Sequence, residues 1–276
     1  MKNNLIIALS TVAAVGVAEG VSIVSDNFDG LAAGAAMDAS ADWNAKWTTG
    51  TTQQNLYKGD GSGGVNLDMS VAEVNYHALN QTGFVVGGTG FSSVTISFDF
   101  NYTHNGGGNP ATGVNKAFFG ALISDQPQWW SGSSNTFTIA NRGGAIGNNV
   151  SGAPFIEGWA THSSMGVDPN AGGTSSNINL SWVLTDNGTT IDAQAIYVRA
   201  GGSFTSTSWD TGVPSGTTLY GGFSTGWNDI GGTLENATNI SSINLDNFAI
   251  TGAPIPEPSA VFLVGLAGLG IFRRRR

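Results

Sequence analysis

The residues best suited to touching a ligand lie in Gln126-Pro127-Gln128-Trp129-Trp130-Ser131, where two indoles occupy a polar, proline-containing stretch that makes burying both awkward. Sugar rings present C–H faces that stack on Trp, and amide side chains pair with hydroxyls. Trp129, Trp130, Gln126 and Gln128 are therefore the candidate ligand contacts, and Trp209 and Trp227 stand in similarly polar surroundings. The competing role for each is packing, because Trp also fills sandwich cores and caps sheet ends. A second set is acidic. Hard cations take carboxylate and carbonyl oxygens from loops, and Asp26, Asp29 and Asp246 would approach a structural calcium ion if the first and last strands paired. Asp168-Pro169-Asn170 and Asp186 to Asp192 are further acidic loops, but neither has the closing Glu of a twelve-residue calcium loop. The alternative is that these Asp and Asn residues make turns through their own side chains.

Other chemistries are poorly supplied. His77, His104 and His162 are far apart in sequence and show no His-x-x-x-His metal spacing. There is no Gly-x-Ser-x-Gly elbow, phosphate loop or dinucleotide fingerprint. With no cysteine, disulfides, thiolate catalysis and Cys-type zinc sites are excluded. Between positions 21 and 254 there are 17 acidic and five basic residues, a formal charge of −12. So acidic a body repels phosphate backbones, which argues against nucleic-acid binding.

The elements that must position these residues are strands. Charged residues make up 11% of the 276 and Gly contributes 41, a profile unlike that of helical proteins. Eight Trp, 14 Phe and five Tyr supply a core, which argues against disorder. From Val94 to Tyr102 every second residue is apolar, the mark of a half-buried strand. Asn177 to Arg199 reads as a hairpin: Ile178, Leu180, Trp182 and Leu184 alternate, Asp186-Asn187-Gly188 turns, and Ile191, Ala193, Ala195 and Tyr197 alternate back. Asn187-Gly188 would supply the positive-φ residues of a tight turn. Ala117–Ile123, Thr136–Ala140, Leu219–Ser224 and Ile243–Ile250 are further strand candidates, separated by Gly, Asn and Ser loops. No fixed-period repeat is present, which disfavours a propeller or solenoid. Many short strands in one body, residues 21–253, imply an all-β sandwich or jelly roll.

Both ends are membrane-directed. Residues 1–20 read as a signal peptide, with Lys2, an apolar stretch from Leu5 to Val17 and the small-x-small site Gly16-Val17-Ala18. That stretch is short for a bilayer-spanning anchor. At the other end Pro254-Ile255-Pro256-Glu257-Pro258 is unsuited to helix. An apolar run without a polar side chain, residues 260–272, follows, and Arg273, Arg274, Arg275 and Arg276 close the chain. Positive charge stays on the cytoplasmic side, so the transmembrane segment would leave the body outside.

Pro256-Glu257-Pro258, the short membrane segment and the Arg cluster, in that order, resemble the PEP-CTERM sorting domain. The resemblance implies recognition and cutting near the Pro-Glu-Pro by an exosortase-like membrane enzyme, in a surface or biofilm-matrix protein of a Gram-negative-type bacterium. A tail anchor that is never cut is the simpler alternative. Ser25-Asp26-Asn27-Phe28-Asp29-Gly30 and Leu245-Asp246-Asn247-Phe248-Ala249-Ile250, which open and close the body, resemble the edges of concanavalin A-like (laminin G-like) jelly rolls. That resemblance implies first and last strands lying side by side. The chain departs from the glycosidases of that fold in lacking a Glu-x-Asp-x-x-Glu cluster. Glycoside hydrolysis needs two carboxyl groups roughly 5–9.5 Å apart. The expectation is an exported, surface- or matrix-associated, non-enzymatic β-sandwich that binds polysaccharide. A jelly-roll carbohydrate-active enzyme (lyase or hydrolase) and a purely structural matrix protein stay open as alternatives.

Overall fold

A computed structural model describes residues 20–47, 57–68, 76–106, 117–127, 137–142, 145–148, 156–157, 171–225 and 240–255. In chain order its strands are β1 (Val21–Asp26), β2 (Trp43–Trp47), β3 (Tyr57–Gly59), β4 (Val65–Asp68), β5 (Tyr76–Asn80) and β6 (Phe84–Val85). Next come β7 (Phe91–His104), β8 (Ala117–Ser124), β9 (Phe137–Arg142), β10 (Ala145–Asn148), β11 (Ile156–Glu157) and β12 (Gly173–Thr174). The last are β13 (Ile178–Asp186), β14 (Thr190–Arg199), β15 (Gly202–Thr205), β16 (Trp209–Pro214), β17 (Thr218–Thr225) and β18 (Ile240–Pro254). One 3-10 turn, Met37–Ala39, sits between β1 and β2.

They form two stacked sheets. The larger has ten strands, with the path β15-β14-β13-β7-β18-β4-β3 and β1, β12 and β16 attached to β18, β7 and β14. The smaller has eight, β11-β10-β9-β8-β17-β5-β2 with β6 on β17. All strand pairs are antiparallel, so each sheet can bury one face and leave the other in water. Alternation along β7 decides its faces. Val94, Ile96, Phe98, Phe100 and Tyr102 are buried, while Thr95, Ser97, Asp99, Asn101 and Thr103 are half-buried on the outside. Each buried apolar side chain contributes roughly 1.5–3 kcal/mol, which fixes the register against a one-residue slip.

The expected hairpin is β13–β14, in register from Ile178↔Arg199 to Asp186↔Ile191. Its turn differs from the expected two-residue form. Gly188 has φ +97°, but Asn187 is not in the left-handed region. The Asn187 Oδ1 instead accepts hydrogen bonds from the Thr189 and Thr190 amides at 3.1 and 2.9 Å, so a side-chain cap replaces the second positive-φ residue. The last strand is also longer than its alternating core, Ile243–Ile250, because it continues to Pro254 opposite Phe91. Its apolar period breaks at Asn247, φ +53°, where a register shift between Asp246 and Ala249 turns Phe248 inward beside Leu245 and Ile250.

First and last strands do lie side by side, with Val21 opposite Gly252 and Asp26 opposite Phe248. Between the sheets, Phe28, Trp43, Phe98, Phe223 and Phe248 form the aromatic centre of the core. The Trp43 indole stacks on Phe223 at 5.4 Å and meets Phe248 edge-on at 4.8 Å. Phe223 projects from a strand in which Gly222 brings backbones together: a Cβ there would stand 1.8 Å from the Ala78 carbonyl oxygen. No helix among the described residues is long and apolar enough to cross a membrane. The apolar run 260–272, and residues 1–19 of the expected signal, lie outside them.

Candidate functional site

A cavity of about 690 Å³ opens where β1 of the large sheet faces β2 and β5 of the small one. Such a volume is ordinary for a small-ligand site. Its apolar lining includes Ile23, Val24 and Leu31, with Phe28 and Trp43 at the core side, and its polar lining includes Ser40, Asp42, Asn80 and Thr82. Trp43 and Asn80 are direct cross-strand partners, which places an indole and an amide together in the lining. Both are almost fully buried, at 3% and 1% exposure. The Asn80 Oδ1 accepts the Thr82 amide at 2.9 Å, and the Asp42 carbonyl accepts the Gln81 amide at 2.8 Å, closing the end of the β2–β5 ladder.

Asp26 holds the indole. Its Oδ2 accepts the Trp43 Nε1–H and its Oδ1 the Phe28 amide, each at 2.7 Å. The Phe28 backbone is left-handed at φ +57°, a rare conformation for a bulky residue, and the Asp26 bond caps that turn.

The ligand loop expected from sequence starts beside this cavity. The Gln81 Nε2 donates to the Pro127 carbonyl at 3.1 Å and to the Leu79 carbonyl at 3.2 Å. Gln126 is exposed, and its amide donates to the Oγ of buried Ser124 at 3.1 Å. Gln128, Trp129 and Trp130 lie outside the described residues, as do Trp227 and His162. Trp209 is half-buried against the core, its ring edge-on to Trp182 at 5.2 Å, so it packs rather than faces solvent. Its indole Nε1 is buried without a hydrogen-bond partner. His77 and His104 fall in different sheets.

Of the three expected calcium ligands, Asp29 and Asp246 lie near enough to interact electrostatically, while Asp26 lines the cavity. Both Asp26 oxygens are engaged. Asp29 accepts the Asn27 side-chain amide. Asp246 lines a second hollow of about 330 Å³ with Asp60, Asp99, Asn101, Asn177 and Asn244. Burial pushes the Asp246 carboxyl above the usual carboxylate range, and the charges of Asp99, Asp29 and Asp60 push it the same way. Burial also opposes ionisation of Asp60, yet hydrogen bonds from Ser62 and Gly64 hold it below that range. Asp99 is satisfied by the Asn179 and Asn247 side chains at 2.8 and 3.0 Å. Among the described residues no three His, Asp or Glu side chains converge closely enough to hold a metal ion.

Sequence reasoning missed Ser40, Asp42, Asn80 and Thr82. The only signal for Asn80 and Thr82 was a polar turn, Asn80-Gln81-Thr82-Gly83, after an apolar pair, and Ser40 and Asp42 stand in a short Ser-Ala-Asp stretch before Trp43.

The two stacked antiparallel sheets with side-by-side terminal strands have the architecture expected of a concanavalin A-like jelly roll. Comparison with solved structures agrees. Basic winged bean lectin, in its complex with Tn-antigen, superimposes with a TM-score of 0.52 at 11% identity, over 86% of this chain and 99% of that one. Lectin I from Ulex europaeus, in complex with the methyl glycoside of alpha-L-fucose, gives 0.51 at 10% identity, over 83% and 97%. The metal-free form of lectin I-B4 from Griffonia simplicifolia gives 0.50 at 11%, over 82% and 98%. At such identities the likeness shows the fold alone. Residues 254–276 match the PEP-CTERM protein-sorting motif, which marks an exported, membrane-processed protein. Curated protein sequences give no match.

Proposed function

We propose that this is an exported glycan-binding protein that holds a neutral or weakly charged polysaccharide in the cavity beside Trp43, with Trp129 and Trp130 supplying stacking faces. The observation that carries the reading is the cavity's mixed lining: apolar Ile23, Val24 and Leu31 stand beside the hydroxyl, carboxylate and amide groups of Ser40, Asp42 and Asn80. A sugar, with C–H faces and hydroxyl edges, matches such a surface. The Gln81–Pro127 bond supports including the tryptophan loop, because it ties the loop's first residues to the turn that carries Asn80 and Thr82. The similar Ulex lectin in complex with an α-L-fucose glycoside is consistent with sugar recognition on this scaffold. The formal charge of −12 over the body disfavours polyanionic glycans.

Binding rather than hydrolysis is the reading favoured at this cavity, because of the two carboxylates in the described lining Asp26 already accepts hydrogen bonds from Trp43 and Phe28, and hydrolysis needs a pair. The protein acts at the cell surface or in the matrix, after an exosortase-like enzyme cuts near Glu257 in the matched tail.

A glycan array followed by calorimetry on Trp129→Ala/Trp130→Ala tests the site. Aromatic stacking contributes about 0.5–1.5 kcal/mol beyond area burial. Loss of both rings should therefore weaken binding about 5- to 150-fold. A double variant that melts like wild type and binds as tightly removes the two tryptophans from the site.

A further inference from the structure

The attachment points of both membrane-directed segments emerge at one end of one sheet. Val21, the first strand residue, pairs with Gly252, and two residues later β18 ends at Pro254, opposite Phe91 of β7. The sorting motif begins at that same residue 254, so no linker separates sheet from tail.

The lengths are restrictive. Five residues separate Pro254 from Ala260, the start of the apolar run, and the six steps between them span at most ~21 Å fully extended. The same six steps would span ~19 Å in the extended form that proline-rich sequences such as Pro254-Ile255-Pro256-Glu257-Pro258 favour. The headgroup layer takes up ~5–8 Å of that on each side of a bilayer. The sheet end thus stays within ~15 Å of the lipid surface, whereas the 15 residues of β18 would span ~50 Å.

One further observation favours the end over the side. The large apolar side chains exposed among the described residues are Val21 at 48%, Val198 at 43% and Ile255 at 38%, and two of these three stand at this end.

We propose that, until its tail is cut, the body stands end-on on the bilayer, with the Thr89–Phe91 turn, Val21 and Ile255 facing lipid. This rests on the reading that residues 260–272 enter the membrane. Val24 and Asp26 of the cavity lining lie opposite Ile250 and Phe248, four and six residues from Pro254, so the cavity is held ~14–20 Å above the sheet end. Glycan lying close to the membrane would be within its reach.

The chain contains no cysteine, so single cysteines can be labelled without background. Thr89, exposed at the proposed lipid-facing end, and Thr174, exposed and paired with Thr103 near the other end of β7, are suitable positions. Full-length Thr89→Cys and Thr174→Cys would each carry a fluorophore and be reconstituted in phosphatidylcholine vesicles containing a headgroup-labelled quencher lipid. The expected result is flotation of both, at least twofold stronger quenching at Thr89, and loss of that difference when twenty Gly/Ser residues are inserted between Ile255 and Pro256. Flotation with equal quenching overturns the end-on arrangement while leaving tail insertion intact. Failure to float overturns tail insertion, and the end-on arrangement with it.

Discussion

The indole Nε1–H of Trp43 donates a 2.7 Å hydrogen bond to Oδ2 of Asp26, tying the edge of the small sheet to the first strand of the large one at the cavity wall. The other oxygen of the same carboxylate caps the left-handed turn at Phe28. One side chain thereby orients the cavity's indole and fixes the chain's exit from β1.

Asp26→Ala should accordingly be costly. It leaves the Trp43 and Phe28 donors without their partner, and an unsatisfied buried donor costs about 1–3 kcal/mol. A loss of about 2–5 kcal/mol in urea unfolding is expected, with Asp26→Asn losing less because one acceptor oxygen remains. Equal stability of Asp26→Ala and wild type would show that the indole is held by packing alone.

Asp246 gives a pH signature of the opposite sign to most carboxylates. Its folded-state pKa is raised, so between the ordinary value near 3.8 and the raised one the folded chain binds more protons than the unfolded chain. Its contribution is most favourable below 3.8 and is lost as pH rises through the folded value. Asp246→Asn, which keeps the oxygen that accepts the Asn247 amide at 2.6 Å, should raise the melting temperature at pH 7 and converge with wild type below pH 3.8. The gain should be about 0.5 kcal/mol and should shrink in high salt, as for other near-surface charges.

Gly222→Ala tests the close approach of β17 and β5. With the Ala78 carbonyl 1.8 Å from the new Cβ, backbone must move, and overpacking of this kind costs about 1–3 kcal/mol. A lowered denaturation midpoint with unchanged slope is the expected readout.

Gln81→Ala separates loop placement from folding. It removes the side-chain bonds to Pro127 and Leu79, and the affected side chain is only half-buried. Glycan affinity should fall about 5- to 10-fold, equivalent to about 1–1.4 kcal/mol, with a melting shift smaller than that of Asp26→Ala.

Processing of the tail is read by mass. Protein recovered from the surface of its host should lack Phe272 and Arg273 to Arg276, with its C-terminus near Glu257. An intact Arg cluster in that fraction would show that the tail is retained as an anchor.

Legibility in the sequence followed length and regularity. The nine alternating positions from Val94 and the hairpin from Ile178 identified β7, β13 and β14, because each sheet face there has its own unbroken set of side chains. Three-residue β3 and two-residue β6 carry too few positions for a period to show. The pairing of β1 with β18 was legible from two similar Asp-Asn-Phe stretches, yet carboxylate direction was not. Asp26 turns to Trp43 and Asp246 to the outer hollow because each sits beside a left-handed residue, Phe28 or Asn247, that redirects the chain locally. Asn80 escaped notice because its role depends on Trp43, 37 positions earlier and opposite it only once β2 and β5 pair.

The long last strand also sets how the molecule bears load. β18 lies inside the large sheet, bonded to β7 along most of its length and to β4 and β1 on its other side. A body gripping glycan through its cavity while still tethered at Pro254 is pulled along the axis of that strand. The ladder bonds to β7 are then sheared together rather than peeled one at a time, so the sheet resists as a unit. A pull applied to Val21 and Pro254 at once would instead unzip the β1–β18 pair from its end, bond by bond. Tension through the tail alone meets the stronger geometry.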